Sequence, residues 1–328
     1  MNWITDHKIP VGRVAADLFN WLQNHAGWFF DGLSIMMERM IGSILSILQF
    51  PVDAHIFQRI FDDTVWLLLL IPAVTFKPFA AWLYEHMPIL YTGYKPLYPD
   101  VYQPYVVVAA FVLLTWFLQR SWKIGLLVLL GFLFILNQGY WQETTQSLTL
   151  VLAACVVCMG IGVPIGIFLA HRPRTYQVVS PLLDLMQTLP PFVYLIPAII
   201  FFGLGMVPGL IATVIFVLPA PIRLTQLGIS STPTTLLEAA TAFGSTPRQR
   251  LWKVELPYAF PQIMAGLNQT IMLSLSMVVI AAYVGADGLG VPVVRALSQV
   301  NTALGFESGF IIVVVAVLLD RMLRVTRK

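Results

Sequence analysis

An all-α polytopic membrane protein is the fold class this sequence predicts, and three observations predict it. The chain has 328 residues, of which 58% are hydrophobic and only 11% charged, against about a quarter charged in a soluble globular protein. With a mean hydropathy of +0.80, it cannot clothe its surface in charge, so lipid must cover much of it. Apolar runs close to the ~20 residues that a membrane-crossing helix needs recur along the chain. Lysine and arginine collect in alternate connections between those runs, the pattern that orients a protein across a bilayer. The formal net charge of +3 is small, and its placement matters more than its size.

The elements follow in order. Residues 1–12 lack the apolar core of a cleavable secretory signal. Residues 14–48 set apolar side chains at helical spacing, with Asp17, Asn24, Asp31, Glu38 and Arg39 between them. That pattern fits a helix lying in the membrane interface, and equally a helix packed on the outside of a bundle. Residues 65–84, "VWLLLLIPAVTFKPFAAWLY", are long enough to cross, although Pro72, Lys77 and Pro78 interrupt them. If they cross there are eight spans, and if they are interfacial or re-entrant there are seven. Residues 85–103, rich in Tyr and Pro, read as an extracytoplasmic loop. The expected organisation is an amphipathic region over 1–63, an extra hydrophobic segment and loop over 64–103, and a transmembrane domain over 104–328.

Seven runs within that domain are expected to span: 104–119, 124–140, 146–170, 182–204, 207–228, 260–284 and 308–324. Arg120 and Lys123 lie between the first and second. His171, Arg172 and Arg174 follow the third, Arg248, Arg250 and Lys253 lie between the fifth and sixth, and Arg321, Arg324, Arg327 and Lys328 close the seventh. The connections after the second, fourth and sixth runs carry no Lys or Arg until Arg295. One orientation satisfies every connection, with residues 229–259 and the C-terminus cytoplasmic.

Polar residues inside the runs are candidates for a translocation path. The fourth run offers Asp184, Gln187 and Thr188 before the break at Pro190-Pro191, with Phe192 and Tyr194 just past it. The sixth offers Asn268, Gln269, Thr270, Ser274 and Ser276. Hydrogen bonding between helices is the plainer role for most of these. Asp184 and Arg223 read as residues near span ends that snorkel or pair. Cys155 and Cys158, three apart on one helix face, read as small packing residues, since two ligands do not make a zinc site. No metal site and no catalytic residue is expected. The glycine-rich stretches "FGLGMVPG" and "GADGLG" lack the lysine of a phosphate cradle and read as tight turns or re-entrant backbone.

The insert "EAATAFGSTPRQRLWKVELPYAFP" interrupts this apolar chain with three basic residues. Thr234 or Thr235 caps a first short helix, with Glu238 in its first turn, and Leu237, Ala240, Phe243 and Leu251 supply apolar contacts. Gly244 permits a sharp change of direction. Ser245-Thr246-Pro247 caps a second short helix, which Leu256-Pro257 ends. An ordinary basic loop that only sets topology is the bland alternative.

Glu238, Ala239, Ala240, Gly244, Val254, Leu256 and Pro257 occupy the positions of a spacing that resembles the coupling-loop signature of ABC-type importer permeases, with Val where Ile is common. The stretches 180–229 and 263–290 look like permeases of the glycine betaine/proline betaine/choline group. The resemblance implies a type I ABC importer transmembrane bundle in a bacterial inner membrane. It implies a homodimer, two separate ATP-binding cassette ATPase subunits that dock on the coupling loop, and a separate extracytoplasmic substrate-binding protein. It implies no cofactor on this chain, ATP and Mg being used by the partner ATPase, and no nucleic acid partner. The implied cargo is glycine betaine, choline or a related methylated-ammonium solute. Competing classes are a permease for another small polar solute, a stand-alone secondary transporter and an intramembrane enzyme. The last has neither an H-E-x-x-H nor a G-x-S-x-G motif to support it.

Overall fold

The computed structural model describes residues 11–49 and 99–323, all helix and short turns with no strand among them. The expectations for 65–84, for most of the loop 85–103, and for Arg324, Arg327 and Lys328 lie outside the described residues. A 38-residue helix, α1 (Val11–Leu48), comes first and kinks at Ala26, where φ is −121° and ψ 18°. Met37 and Ile41 are buried and Leu33, Met40 and Ile44 pack beside them, so the second half of α1 lies against the bundle. Trp21, Trp28 and Phe29 in its first half are exposed.

The bundle then runs through α2 (Pro99–Gln119), α3 (Trp122–Asn137) and α4 (Trp141–Ala170). α5 (Pro173–Thr188) and α6 (Pro191–Phe202) form a pair bent by 92°. Leu189 and Pro190 between them are extended, because a residue before proline is pushed out of the helical region. The fourth expected span is therefore broken into two arms. α7 (Met206–Val217) runs on into α8 (Pro219–Ser230) as one 25-residue apolar helix. Among the described residues, four helices are long and apolar enough to cross a membrane, namely Trp141–Ala170, Met206–Ser230, Pro247–Val284 and Thr302–Leu323, and the bent pair passes the same test as a broken span or a re-entrant loop. Val107–Gln119 and Trp122–Asn137, expected as the first two spans, are shorter apolar helices.

Two short helices, α9 (Thr234–Ala242) and α10 (Pro247–Arg250), form the insert. α11 (Leu256–Ala281) is the sixth run, α12 (Gly290–Gln299) is a short helix beyond it, and α13 (Thr302–Leu323) is the last described element. In the connection between the sixth and seventh runs, α12 packs through its buried Pro292 and Ala296. The main core joins Phe132 and Ile135 of α3, Leu148 of α4, Ile271 of α11 and Ile311 and Val315 of α13.

Glycine brings α8 close to both of its large neighbours. A Cβ on Gly166 of α4 would lie 2.7 Å from the Ile222 carbonyl oxygen, and one on Gly162 would lie 2.8 Å from the Pro221 ring. On the other side, a Cβ on Gly228 of α8 would lie 3.0 Å from that of Ala259. Small residues spaced four apart let helix backbones approach in a membrane, where packing rather than hydrophobicity drives association.

Contacts sort the connections to two ends. At one end the Gly205 N–H donates to the Val284 carbonyl at 2.8 Å, and the Leu289 N–H donates to Ser147 Oγ at 2.8 Å. Gly203, Gly205, Gly285 and Gly288 all have positive φ there, so both glycine-rich stretches contain turns, the first bonded to Val284 at the end of the sixth run and the second to α4. At the other end Arg223 pairs with Asp184 at 2.5 Å and His171 meets Glu255 at 2.8 Å. That end carries the insert.

Candidate functional site

The insert is an elbow built on two cap structures. Pro233, extended at φ −57° and ψ 134°, precedes α9, and no side chain caps it. Thr234 and Thr235 are thus helical residues rather than caps, and Glu238 falls in the second turn, beyond the orphan N–H groups that were expected to favour it. α9 ends on a Schellman motif, in which the Ser245 N–H donates to the Ala240 carbonyl at 3.1 Å and the Gly244 N–H to the Thr241 carbonyl at 2.9 Å. Gly244 adopts φ +75°, a conformation that costs a residue with a Cβ ~1–2 kcal/mol. Thr246 then caps α10 as expected. The Gln249 N–H donates to Thr246 Oγ1 at 3.3 Å while the Thr246 N–H donates to Gln249 Oε1 at 2.9 Å, with Pro247 in the first turn.

Leu256-Pro257 does not end the second helix. A π-helical turn over Leu251–Glu255 carries the chain from α10 straight into α11, the Leu256 N–H donating to the Leu251 carbonyl. Pro257, expected as a stop, lies in the first turn of α11, where a missing N–H is least costly. The wider turn absorbs the break in register, so the second arm of the elbow is continuous with the sixth run.

The motif residues divide into two groups. Glu238, Ala239 and Gly244 are exposed, Ala240 is half-buried, and no residue of α9 is fully buried. Val254 and Leu256 are half-buried toward the bundle, with Pro257 exposed between them and the next turn. Leu237, Glu238, Thr241, Ala242 and Arg250 line an open cleft of about 360 Å³ between the two short helices. Phe243 was expected to supply an internal apolar contact. Instead it is 93% exposed at the tip of the elbow. Trp252 on the π turn is also exposed. The sequence signal for Phe243 was an aromatic residue beside the turn glycine, which pattern alone assigns to a core.

The residues suggested for a translocation path lie on α5, α6 and α11. Phe192 is 51% exposed and stands edge-on to Tyr283, with ring centroids 5.5 Å apart. Thr188 is exposed and donates to the Leu185 carbonyl at 3.2 Å, and Gln187 is half-buried beside it. Tyr194 is buried, and its hydroxyl donates to the Met186 carbonyl at 2.8 Å, bracing the bend between α5 and α6. In α11, Thr270 and Ser276 donate to the carbonyls four residues back, at 2.8 and 3.1 Å. They serve their own helix rather than a neighbour. Asn268 Oδ1 and Ser274 Oγ are buried without a protein partner. Among the described residues, no three His, Cys, Asp or Glu side chains cluster as a metal site.

Comparison with known proteins gives a consistent picture. Residues 162–326 match the family described as binding-protein-dependent transport system inner membrane component. The chain is 52% identical over 212 residues to the glycine betaine transport system permease protein OpuAB of Bacillus subtilis (strain 168), covering 65% of this chain and 75% of that one. It is 47% identical over 232 residues to the glycine betaine/carnitine transport permease protein GbuB of Listeria monocytogenes serotype 1/2a (strain 10403S), covering 70% and 82%. It is 41% identical over 265 residues to the glycine betaine/proline betaine transport system permease protein ProW of Escherichia coli (strain K12), covering 76% and 75%. Its fold is similar to a chain from inward-facing structures of the MetNI methionine ABC transporter, with a TM-score of 0.50, 25% identity, and coverage of 60% of this chain and 98% of that one.

Proposed function

The chain belongs to the family of binding-protein-dependent transport system inner membrane components, and from that premise we propose that it passes glycine betaine, choline or a related methylated-ammonium solute across the inner membrane. The exposed elbow around Gly244 carries the reading. A segment with no fully buried residue in its first helix, an aromatic ring at its tip and a cleft beside it is a surface made to be covered by another chain. The partner is an ATP-binding cassette subunit that uses ATP and Mg, two per transporter, while this chain binds no cofactor. A second copy of this chain and an extracytoplasmic binding protein complete the importer. The elbow and the C-terminus then face the cytoplasm. The names of the relatives support the solute class, and the exposed Phe192–Tyr283 pair supports a weakly binding aromatic stretch of the path, since aromatic faces attract quaternary ammonium groups.

Purification in mild detergent tests the assembly. An ATPase subunit should co-elute, and proteoliposomes with the binding protein should accumulate labelled glycine betaine only when ATP is supplied. Accumulation driven by an ion gradient with no ATPase present overturns the reading. Gly244→Val should strain the elbow by ~1–2 kcal/mol and lower uptake while the detergent-solubilised bundle stays monodisperse. Glu238→Lys, which reverses the charge lining the cleft, should act in the same direction. Full uptake by both variants at matched expression counts against a coupling role for the elbow.

A further inference from the structure

Among the described residues, Glu255 is the charged side chain that the fold buries, at 3% exposure. It is the last residue of the π turn, where the elbow becomes the sixth span. Each of its oxygens has one partner. Arg250 Nε, from the elbow, donates to Oε1 at 3.0 Å. His171 Nε2, at the end of α4, lies 2.8 Å from Oε2. The opposite ring nitrogen, Nδ1, lies 2.9 Å from the Ile167 carbonyl, which fixes the ring on the last turn of α4.

A carboxylate is costly to desolvate, and it stays buried only where both oxygens are satisfied. Its position is therefore tied to the elbow and to α4 at once. This matters because no residue of α9 is fully buried, and the elbow runs on through the π turn into α11. α4 packs against α1, α8 and α11, so a displacement that reaches His171 reaches the middle of the bundle. π turns recur at functional positions in helices, and this one ends on the residue that makes the link.

We propose that Glu255 is a positioning residue of the transport cycle, holding Arg250 and His171 together so that movement of the elbow drives α4 as well as α11. The inference rests on the coupling reading above and adds to it the route by which motion enters the bundle.

The experiment is the ratio of solute imported to ATP hydrolysed, measured in proteoliposomes holding the complete transporter. Glu255→Leu, of similar volume but with neither hydrogen bond, should lower the ratio at least ~5-fold, the lower range of coupling between sites, while hydrolysis persists and the ATPase subunit still co-purifies. Glu255→Gln keeps an oxygen for Arg250 and a polar group beside His171 Nε2, so it should restore the ratio. His171→Leu at the half-exposed end of the link should reproduce the loss even if Glu255→Leu fails to fold. The double variant should be no worse than either single one. An unchanged ratio in His171→Leu and in any folded Glu255→Leu overturns the inference alone. So does a parallel fall of import and hydrolysis, which marks a merely structural residue. A wild-type chain that imports without an ATPase overturns this inference together with the reading it rests on.

Discussion

Replacing Phe243 by alanine is expected to weaken attachment of the ATPase subunit by about 2 kcal/mol, or ~30-fold in affinity. The ring is 93% exposed in the isolated chain, and burial of a phenylalanine side chain is worth ~1.5–3 kcal/mol. Its backbone is held by the Phe243 N–H donating to the Ala239 carbonyl at 3.1 Å and by the Gly244 turn, so little backbone entropy is left to lose on docking. Truncation removes contact area without disturbing any internal packing. Titration of the ATPase subunit onto the chain in nanodiscs reads the effect directly. Phe243→Tyr should retain most of the affinity, since the body of the ring remains. Equal affinities for Phe243→Ala and the wild-type chain would show that the elbow tip is not the anchor.

Gly166→Leu should prevent accumulation of folded protein. A Cβ at this position already meets the Ile222 carbonyl oxygen and Thr225 Cβ at 2.7 Å, and one of those atoms is backbone. No rotamer change can relieve that contact, so α4 and α8 must separate. Overpacking a tight core costs typically ~1–3 kcal/mol, and a leucine forced between two backbones falls at the top of that range or beyond it. The separation also removes Leu169 and Ile222 from their shared cluster with Leu183. Gly166→Ala should be milder but still destabilising, because the clash begins at the first carbon. Thermal unfolding in detergent, followed by size-exclusion recovery, measures both. Recovery of Gly166→Leu at wild-type yield and melting temperature would mean that the α4–α8 contact is not structural.

Neither effect follows from sequence pattern alone, and the reason differs for each. Gly162 and Gly166 stand four apart in an apolar run, a spacing that marks a packing face but not which helix fills it. Phe243 sits in a helical pattern whose apolar positions are read as inward. Only the structure reveals that no residue of α9 is fully buried and that Phe243 stands exposed at its end. The turn at Gly244 and the Thr246 cap were legible because both are local structures set by neighbouring residues. The stop assigned to Leu256-Pro257 failed because proline ends a helix only when no wider turn absorbs its missing N–H, and the π turn at Leu251–Glu255 does so. The hydrogen bonds of Thr270 and Ser276 also escaped the pattern, since side chains four apart share a face whether they reach across to a neighbour or back along their own helix.

The sequence by itself determined the solvent and the plan of this protein. Long apolar runs need lipid around them, and the Thr246 cap and the turn glycine Gly244 shape the elbow through near neighbours in the chain. These are properties of composition and of near neighbours in the chain. The tertiary structure alone decided what touches what across distance: the bend at Pro190, the α4–α8 approach at Gly166, and the meeting of Arg250, Glu255 and His171. His171 and Glu255 are 84 residues apart. Their contact depends on how whole helices pack, and the free energy of such packing is spread over many small contacts that no short stretch of sequence contains.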